Sequence, residues 1–282
     1  MTTIPLTAAP MVRKAADYRT DLKPIWCAGC GDYAVLAAIQ QAFVALQLDP
    51  KDLAIVSGIG CSSRLPGFVQ SYGLHSVHGR SLPAAAGLKL ARPDLTVLAV
   101  GGDGDYFSIG LGHLPHTVRR DINITCIVMD NEIYGLTKGQ TSPTSPYGHV
   151  SKSTPGGNLA NPLNPLAIVL ASGATFVARG FSGQPKPLAE LIRMGIAHQG
   201  FSFIHVLSPC VTYFDSYKLF KDCVYPLPAT HDTSDRAAAM RYAMESEQLP
   251  LGLLFRSEPL NKGVPVAPRP FDTMEYLERY RA

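Results

Sequence analysis

Apolar residues fall in short unbroken runs at 53–60 (LAIVSGIG), 95–102 (LTVLAVGG), 124–131 (ITCIVMDN), 174–180 (ATFVARG) and 201–209 (FSFIHVLSP), each closed by Gly, Asn, Ser or Pro. Runs of this length that do not alternate with polar residues read as strands buried on both faces. Between them lie segments with helical character at 32–46, 81–91, 107–120, 164–172 and 187–199. Strands alternating with helices predict an α/β fold, a parallel sheet with helices on both faces. Ligands of such sheets bind beyond the carboxyl ends of the strands, so the chemistry should gather in the segments that follow each run.

The rhythm has two interruptions. Residues 137–165 shift to Thr, Ser, Pro, Gly and Asn and predict a long loop, either a functional cover or a mobile surface segment. From about 229 the βα alternation stops; 235–248 reads as a helix, followed by LGLLFRS and a polar tail. The expected organisation is an N-terminal arm (1–20), a main ligand-binding domain (21–228) and a C-terminal extension (229–282) packed on the domain or on a partner.

Composition narrows the class. The 282 residues are 46% hydrophobic and 17% charged, with no run of eighteen uncharged apolar residues, which argues for a globular chain over a membrane-spanning or disordered one. The net charge of +3 comes from scattered Lys and Arg, without the basic stripe that nucleic-acid binding requires. The first twenty residues lack the pattern of a secretory signal, and the expectation is a cytoplasmic protein. Thiols are held reduced there, so cysteines 27, 30, 61, 126, 210 and 223 point to metal or catalytic use ahead of disulfides, with plain burial as the alternative.

The run ending at Gly101-Gly102 passes directly into Gly-Asp-Gly-Asp, and the next strand ends 28 residues after Asp103 at Asn131. Magnesium takes a near-octahedral shell of hard oxygens, commonly a carboxylate, an amide or backbone carbonyl, and phosphate oxygens. Asp103, Asn131 and the carbonyl of Ile133 fit that demand from adjacent strand ends. Glycines 101, 102 and 104 would let a diphosphate approach the backbone, and a helix starting near 105 would offer its N-terminal dipole. Taken alone, Gly-Asp-Gly-Asp is equally a turn. Paired with an Asn after 26 intervening residues, it resembles the thiamine diphosphate signature, with Asp130-Asn131 where Asn-Asn is more usual.

Cys27 and Cys30 form a Cys-x-x-Cys ahead of the first helix, Cys61 follows the first strand, and Cys210 follows the strand at 201–209. All four should lie at the carboxyl edge of the sheet. Cys126, inside a strand, and Cys223 read as structural. Four such thiolates suit either zinc or a [4Fe-4S] cluster, and spacing alone does not choose between them. A thioredoxin-like dithiol would need a strand before the Cys-x-x-Cys, and none is expected there.

The stretches WCAGCGDYAVL, SGIGCSSRLPGF, HGRSLPAAAGLKLARPDL, GGDGDYFSIGLGHLPHTVRRDINI and IVMDNEIYGLTKGQTSPTSP resemble the β subunit of the 2-oxoacid:ferredoxin oxidoreductases, in order and across most of residues 20–215. The resemblance implies a thiamine diphosphate-binding fold, with Mg²⁺ on Asp103, Asn131 and the Ile133 carbonyl. It implies a [4Fe-4S] cluster on Cys27, Cys30, Cys61 and Cys210. Ile59, Gly60, Cys61, Ser62 and His78 would line the cofactor, and Gly102, Gly104, Asp105, Gly135 and Leu136 would run along its diphosphate. Lys138 matches a position that can meet a substrate carboxylate, which favours 2-oxoglutarate over pyruvate. The implied reaction converts a 2-oxoacid and coenzyme A to acyl-CoA and CO₂, with electrons leaving through the cluster to ferredoxin; in reverse it fixes CO₂. Thiamine enzymes also need a carboxylate, commonly Glu, from a second homologous domain, and this chain has room for one such domain. An α subunit is therefore expected, in a heterodimer that pairs as α₂β₂.

Other residues carry weaker readings. His113 and His116 share a helix face but have no third ligand in view, so packing is the expectation. His75 reads as loop surface, and Arg64 and Arg80 as either anion contacts or surface pairs. Two rival functions remain: a non-redox thiamine decarboxylase or carboligase, which has no use for the cysteines, and a zinc-stabilised nucleotide-binding protein.

Overall fold

A computed structural model describes residues 12–260; the remainder of the expected arm and extension, 1–11 and 261–282, lies outside the described residues. In chain order the strands are β1 (Leu53–Ser57), β2 (Tyr72–His75), β3 (Thr96–Gly102), β4 (Thr125–Asp130), β5 (Ile133–Tyr134), β6 (Gln140–Thr141), β7 (Phe176–Phe181), β8 (Ser202–Leu207), β9 (Val224–Pro226) and β10 (Leu249–Arg256). Eight of these form one sheet in the order β2-β1-β3-β4-β8-β7-β10-β9, while β5 and β6 make a separate antiparallel ribbon. β1, β4, β7 and β8 are buried along their whole length, which is why their sequences run apolar without alternation.

The helices are α1 (Asp32–Leu46), α2 (Ser81–Ala91), α3 (Asp103–Phe107), α4 (Leu114–Arg119), α5 (Pro165–Ala171), α6 (Pro185–Ala197), α7 (Tyr217–Cys223) and α8 (Arg236–Ala243). Two cores flank the sheet. On one face Ile39 and Phe43 of α1 and Ile192 of α6 pack on Ile55, Val100, Ile127 and Ile204. On the other, Leu82 of α2, Val118 of α4, Leu166 of α5 and Ala239 of α8 cover Val56, Val97 and Val128. Local signals fix the ends: Asn164 accepts from Ala167 N–H at 3.0 Å to start α5, Asp235 accepts from Ala237 N–H at 2.8 Å to start α8, and Gln47 takes a left-handed turn to end α1. Phe43 has no exposed surface, and truncating it to Ala would cost about 3–5 kcal/mol.

Three features depart from the sequence expectation. The single helix expected at 107–120 is broken: α3 ends at Phe107, Ser108 leaves helical geometry, a 3-10 turn covers Leu111–His113, and Pro115 sits in the first turn of α4. Gly110 makes the break possible, since a Cβ there would lie 2.4 Å from the Asp105 carbonyl oxygen. The sheet is not wholly parallel, because β10 runs antiparallel to β7. β10 also joins β9 to the sheet, so residues 224–256 extend the sheet itself.

Candidate cofactor site

β1, β3, β4 and β8 run parallel, so their carboxyl ends meet at one edge. A cavity of about 420 Å³ opens there, and all the residues expected to line the cofactor or run along its diphosphate do line it, together with Asp103, Asn131 and Ile133. Tyr134, Thr137 and Gln140 complete the wall and were not foreseen. Lys138 is not part of it; it is exposed in the β5–β6 turn with a φ of 77°.

Asp103, 1% exposed, accepts a hydrogen bond from Thr144 Oγ1 at 2.9 Å, and the same hydroxyl lies 2.8 Å from Asp130 Oδ1. Glu132 follows nearby, in a left-handed conformation with φ 59°, its Oε2 buried without a partner. Burial, then the neighbouring Asp130, pushes the Asp103 carboxyl well up; burial, then Asp130 and Asp103, does the same to Glu132. Three crowded carboxylates repel one another, and a divalent cation beside Asp103 would relieve that repulsion. Asn131 Oδ1 accepts from Ile133 N–H at 3.1 Å, which orients the amide at the cavity wall. Among the described residues no three His, Cys, Asp or Glu side chains can hold a metal ion by themselves. One carboxylate, one amide and a carbonyl would leave positions for diphosphate oxygens, as Mg²⁺ prefers.

The glycines of the cavity wall are packed closely by their neighbours. A Cβ on Gly104 would lie 2.2 Å from the Tyr134 ring, and one on Gly102 would lie 3.1 Å from Ser62 Oγ. The expected helix dipole does not contribute: the helix starts at Asp103 rather than near 105 and has only five residues, too short for an aligned dipole of any size. Asp105, besides lining the cavity, has a bracing role that was not foreseen. Its Oδ1 accepts from Ile59 N–H at 3.0 Å and Gly79 N–H at 2.7 Å and pairs with His78 Nδ1 at 2.7 Å, so it fastens the loops after β1 and β2 together. With Nδ1 so engaged, His78 keeps Nε2 for the cavity.

The cysteines gather beside this cavity. Gly31 N–H donates to the Pro209 carbonyl at 3.1 Å, tying the Cys-x-x-Cys loop to the chain after β8, and Trp26 Nε1–H donates to the Cys61 carbonyl at 2.6 Å. The sulfurs of Cys61 and Cys210 each lie 3.7 Å from the point where Gly135 would carry a Cβ. Burial, then Asp32, then the charges of Cys210 and Cys27, push the Cys61 thiol up to about 11. Cys30 is pushed higher, by burial first, then Asp32, with Cys210 and Cys61 adding. Cys30 and Cys61, held neutral by burial, are soft donors that metal binding would turn into thiolates. Cys27 is exposed; Cys126 is buried inside β4, and Cys223 is half-buried at the end of α7.

Among the weaker candidates, Arg80 Nη1 donates to the carbonyls of Gly79 and Ile109 at 3.1 Å and is a loop brace. His75 pairs at 3.4 Å with Ser57. With Arg64 and Lys23 it lines a second cavity of about 630 Å³ that shares Ile59, Gly60 and Leu136 with the first.

Residues 58–206 match the family of thiamine pyrophosphate enzymes, C-terminal TPP-binding domain, and 210–265 match the C-terminal family of the pyruvate ferredoxin oxidoreductase beta subunit. The chain is 44% identical over 257 residues to subunit beta of 2-oxoacid:ferredoxin oxidoreductase 1 from Aeropyrum pernix, covering 86% of this chain and 81% of that one. The chain belongs to the β subunits of the 2-oxoacid:ferredoxin oxidoreductases. It is also 43% identical over 202 residues to the 2-oxoglutarate synthase subunit KorB of Methanocaldococcus jannaschii, covering 71% of this chain and 75% of that relative. Among solved structures, a 2-oxoglutarate:ferredoxin oxidoreductase from Magnetococcus marinus, with 2-oxoglutarate, coenzyme A and succinyl-CoA bound, superposes with a TM-score of 0.86. Identity is 46%, over 87% of this chain and 86% of that one. As an oxidoreductase β subunit, this chain has the mostly parallel α/β sheet of its family. Among its described residues no helix is long and apolar enough to cross a membrane.

Several residues behind the site escaped sequence reasoning: Thr144, Asp130 as a carboxylate, His205 and Arg179. The signal was present. A His within FSFIHVLSP and an Arg within ATFVARG are polar groups inside strands buried on both faces, and such groups need a specific partner.

Proposed function

We propose that this β subunit holds thiamine diphosphate, Mg²⁺ and one [4Fe-4S] cluster and serves an enzyme of the 2-oxoglutarate type. When bound, thiamine diphosphate supplies the decarboxylating chemistry and the cluster one-electron transfer to ferredoxin. Asp103, Asn131 and the Ile133 carbonyl would hold Mg²⁺, the bare backbone at Gly102 and Gly104 would admit the diphosphate, and His78, fixed by Asp105, would present Nε2 to the cofactor or substrate. Cys27, Cys30, Cys61 and Cys210 would bind the cluster. An α subunit, in an α₂β₂ assembly, would supply the missing carboxylate for thiamine and much of the coenzyme A site, and the enzyme would work in the cytoplasm.

The observation that carries this reading is the position of Gly135. It lines the diphosphate cavity, and the sulfurs of Cys61 and Cys210 both lie within 3.7 Å of its absent side chain. A non-redox thiamine enzyme has no need of thiols at that wall. The preference for 2-oxoglutarate rests on Arg64 and Lys23, cations lining the adjoining cavity that suit a second carboxylate, and on relatives of 43% and 46% identity named for that substrate. The test is co-expression with the partner subunit and anaerobic assay of coenzyme A-dependent viologen reduction. The expected result is strict dependence on thiamine diphosphate and a higher kcat/KM for 2-oxoglutarate than for pyruvate; thiamine-dependent decarboxylation without dye reduction would favour the non-redox rival.

A further inference from the structure

Behind the metal-binding loop runs a buried chain of polar groups. Arg179 on β7 and His205 on β8 are neighbours in register, 4% and 3% exposed, and Asp130 at the end of β4 is 2% exposed. Arg179 Nε–H donates to His205 Nδ1 at 3.3 Å, and His205 Nε2 lies 2.8 Å from Asp130 Oδ2. An arginine nitrogen can only donate, so Nδ1 must accept, which makes His205 the neutral tautomer with its proton on Nε2. That proton is donated to Asp130. Asp130 Oδ1 also accepts from Glu132 N–H at 3.0 Å and is bridged by the Thr144 hydroxyl to Asp103 Oδ2.

The bridge has one proton for two carboxylates. Which of them gains it depends on what else each receives. Asp130 has the two N–H donors of Glu132 and His205, so the Thr144 proton is available to Asp103. Without His205, Asp130 retains that proton and Asp103 loses the Thr144 donor, keeping the Ser142 hydroxyl alone of its two side-chain donors. We propose that His205 and Arg179 are positioning residues for the divalent cation, acting through Asp130 and Thr144 to orient the Asp103 carboxylate. The inference rests on the Mg²⁺ reading of the site given above. It explains a buried Arg and His in the centre of an apolar sheet, where unpaired polar groups are costly. It also makes this pair the counterpart of the outer-layer carboxylates that orient ligands in other metal sites.

The test uses the complex with its partner subunit, saturated with thiamine diphosphate and freed of divalent ions, and measures Mg²⁺ affinity by calorimetry and Mn²⁺ binding by electron paramagnetic resonance. His205→Leu should weaken Mg²⁺ binding roughly 10–100-fold. His205→Gln, which keeps an N–H toward Asp130, should stay within about threefold of wild type, a rescue that a merely structural role would not give. Thr144→Val should lose as much as His205→Leu, and the double variant should be no worse than Thr144→Val alone, because both act on one proton. If His205→Leu does not fold, Arg179→Met takes its place, with the same loss expected. Wild-type affinity in His205→Leu, equal losses in His205→Leu and His205→Gln, or fully additive losses with Thr144→Val would each overturn the inference. A wild-type complex that binds no Mg²⁺ would overturn the functional reading itself, and this inference with it.

Discussion

Asp32, at the first position of α1, is 2% exposed, with Ser208 Oγ donating to its Oδ1 at 2.7 Å and its Oδ2 buried without a partner. Burial raises its pKa from the ordinary 3.8 to about 6, the Ser208 bond pulling the other way. Between those values the unfolded chain has released the proton and the folded chain still holds it. Stability is therefore complete below about pH 4 and falls as pH rises toward 6. Two units at 1.36 kcal/mol each put the loss at about 3 kcal/mol at pH 7. Asp32→Asn keeps an oxygen for Ser208 and removes the charge, so the metal-free chain should gain ~1–3 kcal/mol at pH 7 and nothing at pH 4. Urea unfolding followed by circular dichroism across pH 4–7 measures the difference. An equal effect of the substitution at both pH values, or a loss at pH 7, would refute the reasoning. The carboxylate is kept at this cost beside Cys30, where the cluster is proposed to bind, which places the strain at a functional position.

Gly104→Ala drives a methyl group into the Tyr134 ring, and overpacking of about 1–3 kcal/mol should appear as weaker thiamine diphosphate binding in equilibrium dialysis, with cooperative unfolding retained. Asp103→Asn should abolish the Mg²⁺ dependence of thiamine diphosphate binding, checked by the same dialysis with and without a chelator. Lys138→Ala should lower kcat/KM for 2-oxoglutarate roughly tenfold more than for pyruvate, a difference of about 1.4 kcal/mol, and equal losses would remove Lys138 from substrate selection.

The sheet and the ligand edge were legible because buried parallel strands write themselves as apolar runs, and because Asp103, Asn131, Cys61 and Cys210 all follow such runs directly. β2 was not legible: Tyr72, Gly73, Leu74 and His75 are all exposed on an edge strand, so burial imposes no pattern. The break at Ser108 depends on Gly110 meeting the Asp105 carbonyl, a tertiary contact without a local signature. β10 has a strand-like sequence, but its antiparallel entry between β7 and β9 is decided by pairing partners far along the chain. Asp105 was read as a ligand contact by its motif, while its hydrogen bonds to Ile59, His78 and Gly79 join segments that only the fold brings together.

The central claim is that four cysteines hold an electron-accepting cluster at the wall of the thiamine cavity. Iron and acid-labile sulfide counts on the anaerobically purified complex, in wild type and in Cys27→Ser, Cys30→Ser, Cys61→Ser and Cys210→Ser, test it most directly. The account predicts about four irons and four sulfides per β chain, diminished in each of the four variants and unchanged in Cys126→Ser and Cys223→Ser. A colourless protein carrying zinc, or an iron content indifferent to Cys61 and Cys210, would contradict it.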